Sequence, residues 1–177
     1  MGFTKSPSSC IQMFSMEYDK NLVNKIKKII NLKQATISVA ESVTAGHIQA
    51  ALSLADEAAE YFQGGITCYN LGQKTRHLNI EPILAEQSNC IHQKVAAQMA
   101  IEVSKLFISD FGLGITGYAT MVPEIEKEGL FAFAAISYQQ NILLQKKLTS
   151  KKESSLEVQV DYTQQVLKLL FDFLKKK

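Results

Sequence analysis

Apolar residues recur along this chain in two periods, and the switches between them mark the elements. Between residues 18 and 33, Leu22, Val23, Ile26, Ile29 and Ile30 fall at the i, i+3, i+4, i+7 spacing of an amphipathic helix. Lys25, Lys27, Lys28 and Lys33 lie mostly on the other face, which reads as a solvated surface rather than a nucleic-acid contact. Ala35 to Ala40 is a short β-branched and apolar run, the pattern of a strand. Polar residues follow, and Ile48, Ala51, Leu52 and Ala55 then resume helical spacing. Further on come a helical turn at Ala58 to Phe62, a strand at Gly64 to Tyr69 and a short helix at Gln73 to Leu78, with Pro82 closing the next loop.

The clearest interior helix spans His92 to Ile108. Its apolar face holds Val95, Met99, Val103, Leu106 and Phe107, and Ala96 and Ala100 permit close packing. Gly112 to Gly117 reads as a buried strand, Tyr118 to Glu128 as a loop, and Leu130 to Ser137 with Asn141 to Leu148 as a hairpin. A last helix runs from about Lys152 to Leu174, with Leu156, Val160, Thr163, Leu167, Leu170 and Leu174 as its buried stripe. Helices and strands alternate early and a hairpin comes late. That order predicts one α/β domain, a three-layer α/β/α sandwich with a mixed central sheet.

Composition narrows the picture. The chain has 177 residues, 46% hydrophobic and 20% charged, with a formal charge of +2. Such a balance suits a soluble globular protein and gives no electrostatic reason to expect a nucleic-acid partner, and no apolar run approaches the length of a membrane span. Residues 1–15 mix Pro, Gly and Ser without a period. Residues 1–17 are therefore expected to be a disordered or loosely packed extension ahead of a domain at 18–177, with Met16 a candidate second start. Cys10, Cys68 and Cys90 are too few and too scattered for a disulfide framework or a zinc site, and read as reduced thiols in a cytoplasmic protein. His47 and His92 have no metal partner at ligand spacing, and a surface or first-turn role is expected of His47.

Candidate chemistry gathers at Ser38-Val39-Ala40-Glu41-Ser42-Val43-Thr44-Ala45-Gly46, which reads as strand, tight turn, helix. In open α/β sheets ligands bind beyond such strand ends. Taken alone, Ser42 reads as a helix N-cap more readily than as a nucleophile. Tyr69 and Lys74 stand five residues apart across a strand end and a helix start. With Ser42 they offer a hydroxyl, a phenol and an amine, and a lysine of lowered pKa can serve as base to a serine.

The order of these pieces adds to that reading. Glu41-Ser42-x-Thr44-x-Gly46, then Gly64-Gly65 with Tyr69-x4-Lys74, then Thr116-Gly117, resembles the C-terminal domain of the CinA (competence-damage-inducible) family over about Lys20 to Lys177. The resemblance implies an α/β/α sandwich and a nicotinamide-nucleotide amidase, which hydrolyses the carboxamide of nicotinamide mononucleotide to the acid and ammonia without metal or cofactor. It implies catalytic roles for Ser42, Tyr69 and Lys74. Ser42 is expected to attack, Lys74 to take its proton and Tyr69 to relay a proton or protonate the leaving ammonia, with N–H groups at Thr44 to Gly46 holding the oxyanion. Glu41, Thr44, Gly46, Thr116 and Gly117 are the expected substrate-binding residues. The expected partner is a small nucleotide substrate, and a homo-oligomer is left open.

The chain also departs from the family's pattern. Val43 and Ala45 replace the Cys and first Gly of Glu-Ser-Cys-Thr-Gly-Gly. Asn70-Leu71 follow the tyrosine in place of Ser-Asn, and Asn89-Cys90-Ile91-His92 replace Gly-Ala-Val-Ser. Thr116 to Pro123 replace the glycine-rich Thr-Gly-Ile-Ala-Gly-Pro-Gly-Gly, and Ser150-Lys151-Lys152 replace Gly-Asp-Arg. Tyr118, Met121 and Val122 are expected to fill space where backbone would meet a ligand, weakening affinity for the mononucleotide. An inert family member that binds a nucleotide-like ligand is the alternative. A Ser–Tyr–Lys dehydrogenase is excluded, because Glu41 to Gly46 supplies no dinucleotide glycine turn and Tyr69 and Lys74 are not one helical turn apart.

Overall fold

The structure, a computed structural model, describes residues 18–176. The expected extension over residues 1–17, with Cys10 and Met16, lies outside the described residues. Helix α1 (Lys20–Leu32) starts where Asp19 accepts the Leu22 N–H at 2.9 Å, and it buries Val23, Ile26 and Ile30. Strand β1 (Ile37–Glu41), helix α2 (His47–Leu52), strand β2 (Phe62–Thr67) and helices α3 (Leu71–Leu78), α4 (Pro82–Gln87) and α5 (Gln93–Leu106) follow. Strand β3 (Phe111–Gly117), the hairpin β4 (Leu130–Tyr138) and β5 (Asn141–Ser150), and helix α6 (Ser155–Lys175) complete the domain. Among the described residues no helix is long and apolar enough to cross a membrane.

The five strands form one mixed sheet in the order β2-β1-β3-β4-β5. β1 pairs in parallel with β2 and β3, and the last two pairings are antiparallel. Helices α1, α2 and α6 pack together on one face, where Ile37, Val39, Leu113 and Ile115 join the main core. Helices α3, α4 and α5 cover the other face. The strand period of two sorts the side chains: Ser38 lies on the α5 side, its Oγ donating to the Val103 carbonyl at 3.1 Å, while Ile37 and Val39 lie on the opposite side.

The α5 face of β3 is made of glycines. A Cβ on Gly112 would lie 1.8 Å from the Ala100 carbonyl oxygen, and one on Gly114 2.3 Å from that of Ala96. With Ala96 and Ala100 opposite, helix and strand meet almost backbone to backbone. Thr116 is the next residue on that face, so this contact sets the height of α5 above the strand end.

The predicted α/β/α architecture matches the structure, and the local differences have physical causes. Pro82 does not close a loop but opens α4, where its missing N–H costs nothing, and the Glu81 carboxylate accepts the Ile83 and Leu84 N–H groups at 2.9 and 2.6 Å. Leu156 and Leu106, assigned to buried stripes, are 42% and 52% exposed, because each sits at a helix end beyond the edge of the packed face. α2 stops at Leu52, and Ala55 is buried just beyond it. β1 begins at Ile37 and β2 ends at Thr67, which leaves Tyr69 past the strand. The 118–128 connection contains a 3-10 turn, Pro123–Ile125, that buries Ile125.

Gly112→Ala is expected to cost at least the ~1–3 kcal/mol of an overpacked core. In Gly72→Ala the new Cβ would meet only Asn70 Oδ1 at 3.6 Å, so stability should be unchanged or slightly raised. Urea unfolding of the two variants checks the contrast.

Candidate active site

The site begins where β1 ends, on an interior strand of the sheet. Glu41 is fully buried, and its carboxylate accepts the N–H groups of Gly46, Ile48 and Gln49 at 3.0, 3.1 and 2.8 Å. It thus caps α2 from the strand end, since the N-cap residue Gly46 has no side chain. Reaching that cap requires a tight return. Ala45 (φ 51) and Gly46 (φ 102) both adopt left-handed conformations, which glycine takes at no steric cost. Ser42 lies at the start of this turn and is not the N-cap of α2.

Lys74 arrives from α3. Asn70 caps that helix by accepting the Gln73 N–H at 3.0 Å, and the Cys68 N–H binds the Glu41 carbonyl at 2.8 Å, fastening the β2 end to the β1 end. Lys74 Nζ lies 2.8 Å from Ser42 Oγ, 2.8 Å from the Cys68 carbonyl and 3.2 Å from the Tyr69 carbonyl. Lys74 is 1% exposed and Ser42 7%. No carboxylate pairs with the amine among the described residues. Burial therefore pushes the Lys74 pKa down, while the nearby Cys90 and Cys68 thiols act weakly the other way. The neutral amine matches its surroundings: two N–H groups for two carbonyls, and one lone pair toward the Ser42 hydroxyl.

A cavity of about 580 Å³ opens above the pair. Ser42, Tyr69, Lys74, Thr116 and Gly117 all line it, so these sequence-derived candidates converge. Thr116 Oγ1 donates to the Cys90 carbonyl at 2.9 Å and ties the α4–α5 connection to the strand end. Gly117 passes so close to β4 that a Cβ would lie 2.5 Å from Ala132. Tyr69 engages Lys74 only through its backbone carbonyl. Its ring is 76% exposed, and its hydroxyl has no hydrogen-bond partner among the described residues.

Three expected substrate contacts are not at the cavity. Glu41, Thr44 and Gly46 do not line it, because the carboxylate is turned into the cap of α2 and draws the turn beneath the surface. The Gly46 N–H is taken by Glu41 and is not free for an oxyanion. Thr44 is fully buried, and its hydroxyl has no partner among the described residues. The N–H groups of Val43 and Thr44 meet no acceptor among the described residues, and Val43 lines the cavity.

The altered loop also differs from expectation. Tyr118, Ala119 and Thr120 line the cavity, but Met121 points outward and is 52% exposed, while Val122 packs against the core. Tyr118 is held by its N–H to the Phe131 carbonyl (3.0 Å) and by the Tyr162 hydroxyl donating to its own carbonyl (3.3 Å). His47 is the first residue of α2, with Nδ1 hydrogen-bonded to the Tyr18 hydroxyl, and His92 caps α5. Cys68 and Cys90 are buried thiols, pushed up in pKa by burial. Sequence reasoning missed Asn70, Glu86, Asn89, Ser155 and Gln159 among the lining residues. Asn70 ahead of a helical pattern, and the Ser154–Glu157 capping box that starts α6, were readable signals.

Residues 19–174 match the model of the CinA C-terminal domain. The chain belongs to that family. A "CinA-like protein" of Rippkaea orientalis is 35% identical over 101 residues, 57% of this chain and 24% of the relative. Another from Pseudothermotoga lettingae is 34% identical over 107 residues, 60% of this chain and 26% of the relative. The matches thus span about a quarter of those curated relatives. Among solved structures, a competence or damage-inducible protein from Enterobacter asburiae superposes with TM-score 0.81 at 19% identity, covering 88% of this chain and 97% of that one. A CinA superfamily protein from Escherichia coli gives 0.79 at 20%, covering 92% and 94%. These likenesses establish the shared fold.

Glu41→Gln replaces one accepting oxygen with a donor facing N–H groups. It is expected to cost about 1.5–3 kcal/mol of stability, read by urea denaturation, because a charge-assisted cap is lost.

Proposed function

We propose that this CinA-family chain is an amide hydrolase of the nicotinamide-nucleotide type, with Ser42 as nucleophile and Lys74 as its base. The observation that carries this reading is the 2.8 Å approach of a buried lysine amine, lowered in pKa and unpaired with any carboxylate among the described residues, to the hydroxyl of Ser42.

Ser42 Oγ attacks the carboxamide carbon, and its proton passes to Lys74 Nζ. The resulting oxyanion lies toward the free N–H group of Val43, which lines the cavity. The lysine ammonium returns the proton to the nitrogen, the C–N bond breaks and ammonia leaves an acyl-serine. Water then attacks the ester as Lys74 takes its proton, and when the ester C–O bond breaks the ammonium gives that proton to Ser42 Oγ, releasing the acid and restoring the neutral amine. The Tyr69 ring, exposed at the mouth, is assigned to the bound heterocycle rather than to proton transfer, since its hydroxyl is not engaged with the pair. Thr116 and Gly117 form the wall, and the reading requires no metal or cofactor. Buried thiols at Cys68 and Cys90 suit a reducing, cytoplasmic setting.

Ammonia release from nicotinamide mononucleotide, with nicotinamide and glutamine as controls, tests the activity. Ser42→Ala should lower turnover by roughly 10³-fold or more while ligand binding persists. Binding without release by the native chain would sink the hydrolase reading and favour an inert nucleotide binder. Burial disfavours the Lys74 ammonium, and only the neutral amine accepts a proton. kcat/KM should therefore rise with pH and level off below the ordinary lysine range, and Lys74→Ala should remove that rise along with most activity.

A further inference from the structure

Charge is spread unevenly around the cavity. Lys74, one of its two charged lining residues, is 1% exposed and faces two carbonyls and Ser42. The other is Glu86, near the end of α4 and exposed at the rim. The Glu86 side chain caps no helix and joins no ion pair among the described residues, so the packing of the fold does not account for a carboxylate there. The rest of the lining is uncharged and includes two aromatic rings, Tyr69 and Tyr118.

The far side of the cavity has the opposite character. α4 lies on one face of the sheet and α6 on the other, and the cavity spans the strand ends between them. Ser155 lines the α6 side, and the Ser155 and Leu156 N–H groups meet no acceptor among the described residues. Free N–H groups at the start of a long helix carry partial positive charge. A pyridinium mononucleotide has a matching polarity, with a cationic ring at one end and a phosphate at the other. Reduction of its ring to the dihydropyridine removes the cation and leaves carboxamide, ribose and phosphate in place.

We infer that Glu86 is a specificity-determining residue that reads the positive charge of the substrate's pyridinium ring. The inference rests on the amide-hydrolase reading and adds a recognition element to the same cavity. With the carboxamide at Ser42, the ring lies on the side of Tyr69 and Glu86 and the phosphate toward α6. Coulomb attraction needs no directed hydrogen bond, so a rim carboxylate suffices, and the face of a tyrosine ring favours the same cation.

Nicotinamide mononucleotide and its reduced, dihydropyridine form differ in this charge and share every other group, so their affinities are compared by calorimetry in a Ser42→Ala background, where neither turns over. The native rim should favour the pyridinium form. Glu86→Gln should cut that preference about threefold and Glu86→Lys about tenfold, the scale of one exposed charge removed and then reversed, by weakening the pyridinium form and not the reduced one. The preference in the Glu86 chain should also shrink as salt is raised. An unmoved preference in Glu86→Lys, or an equal loss for both forms, overturns the inference, the second by assigning Glu86 a structural role. Ammonia release by the chain with Ser42 intact separates the two readings. A preference that follows Glu86 without ammonia release sinks the hydrolase reading alone. Ammonia release with a preference indifferent to Glu86 sinks this inference alone, and binding of neither form sinks both.

Discussion

One buried carboxylate organises the front of this molecule. Glu41 ends an interior strand with its side chain sealed from water, and that placement is tolerable only because backbone N–H groups surround it. To deliver those donors the chain must turn back sharply, with left-handed backbone at Ala45 and Gly46. The turn leaves Ser42 at the lip of the cavity and Thr44 beneath it. A residue with no direct part in the chemistry thereby sets where the chemistry takes place.

The two faces of the sheet divide the work. The α1, α2 and α6 side carries large aliphatic and aromatic residues, including the buried Tyr61 and Tyr162, and supplies most of the apolar burial. The α5 side is lean: glycines on β3, alanines on α5 and a smaller cluster around Met99 and Val103. Leanness there has a geometric result. A helix seated directly on the strand backbone cannot slide without collision, so Thr116 meets the Cys90 carbonyl at a fixed height. The cavity wall inherits its rigidity from a glycine track.

Most of the architecture was legible because it follows from periodicity. The order of strands and helices, the late hairpin and the apolar faces of α1 and α5 all rest on spacing alone. Element ends were less legible, as Leu156 and Leu106 show: each keeps the period of its helix but projects past the neighbour that would cover it. In the site, Ser42, Lys74, Thr116 and Gly117 were readable as residues at or just beyond strand ends. The function of Glu41 was not, since a carboxylate after a strand looks the same whether it faces a ligand or folds under a turn. Tyr69 was legible as a member of the constellation but not as an exposed ring, because exposure depends on how α3 leaves the sheet. Glu86 and Gln159 lie on helices that carry no motif, and only tertiary packing brings them to one cavity.

The burial of Lys74 has a further consequence for when this chain is reactive. Its amine loses basic character only while the β1 end, the β2 end and α3 are closed around it and water is excluded. Local opening of α3 admits solvent, the amine takes up a proton, and the serine beside it loses its base. The reactive state is then a property of the intact tertiary structure, absent from a nascent or partly opened chain. Such a chain would display Ser42 to the amides of its neighbours without the means to attack them, so the nucleophile is armed by the last step of folding and disarmed by the first step of unfolding.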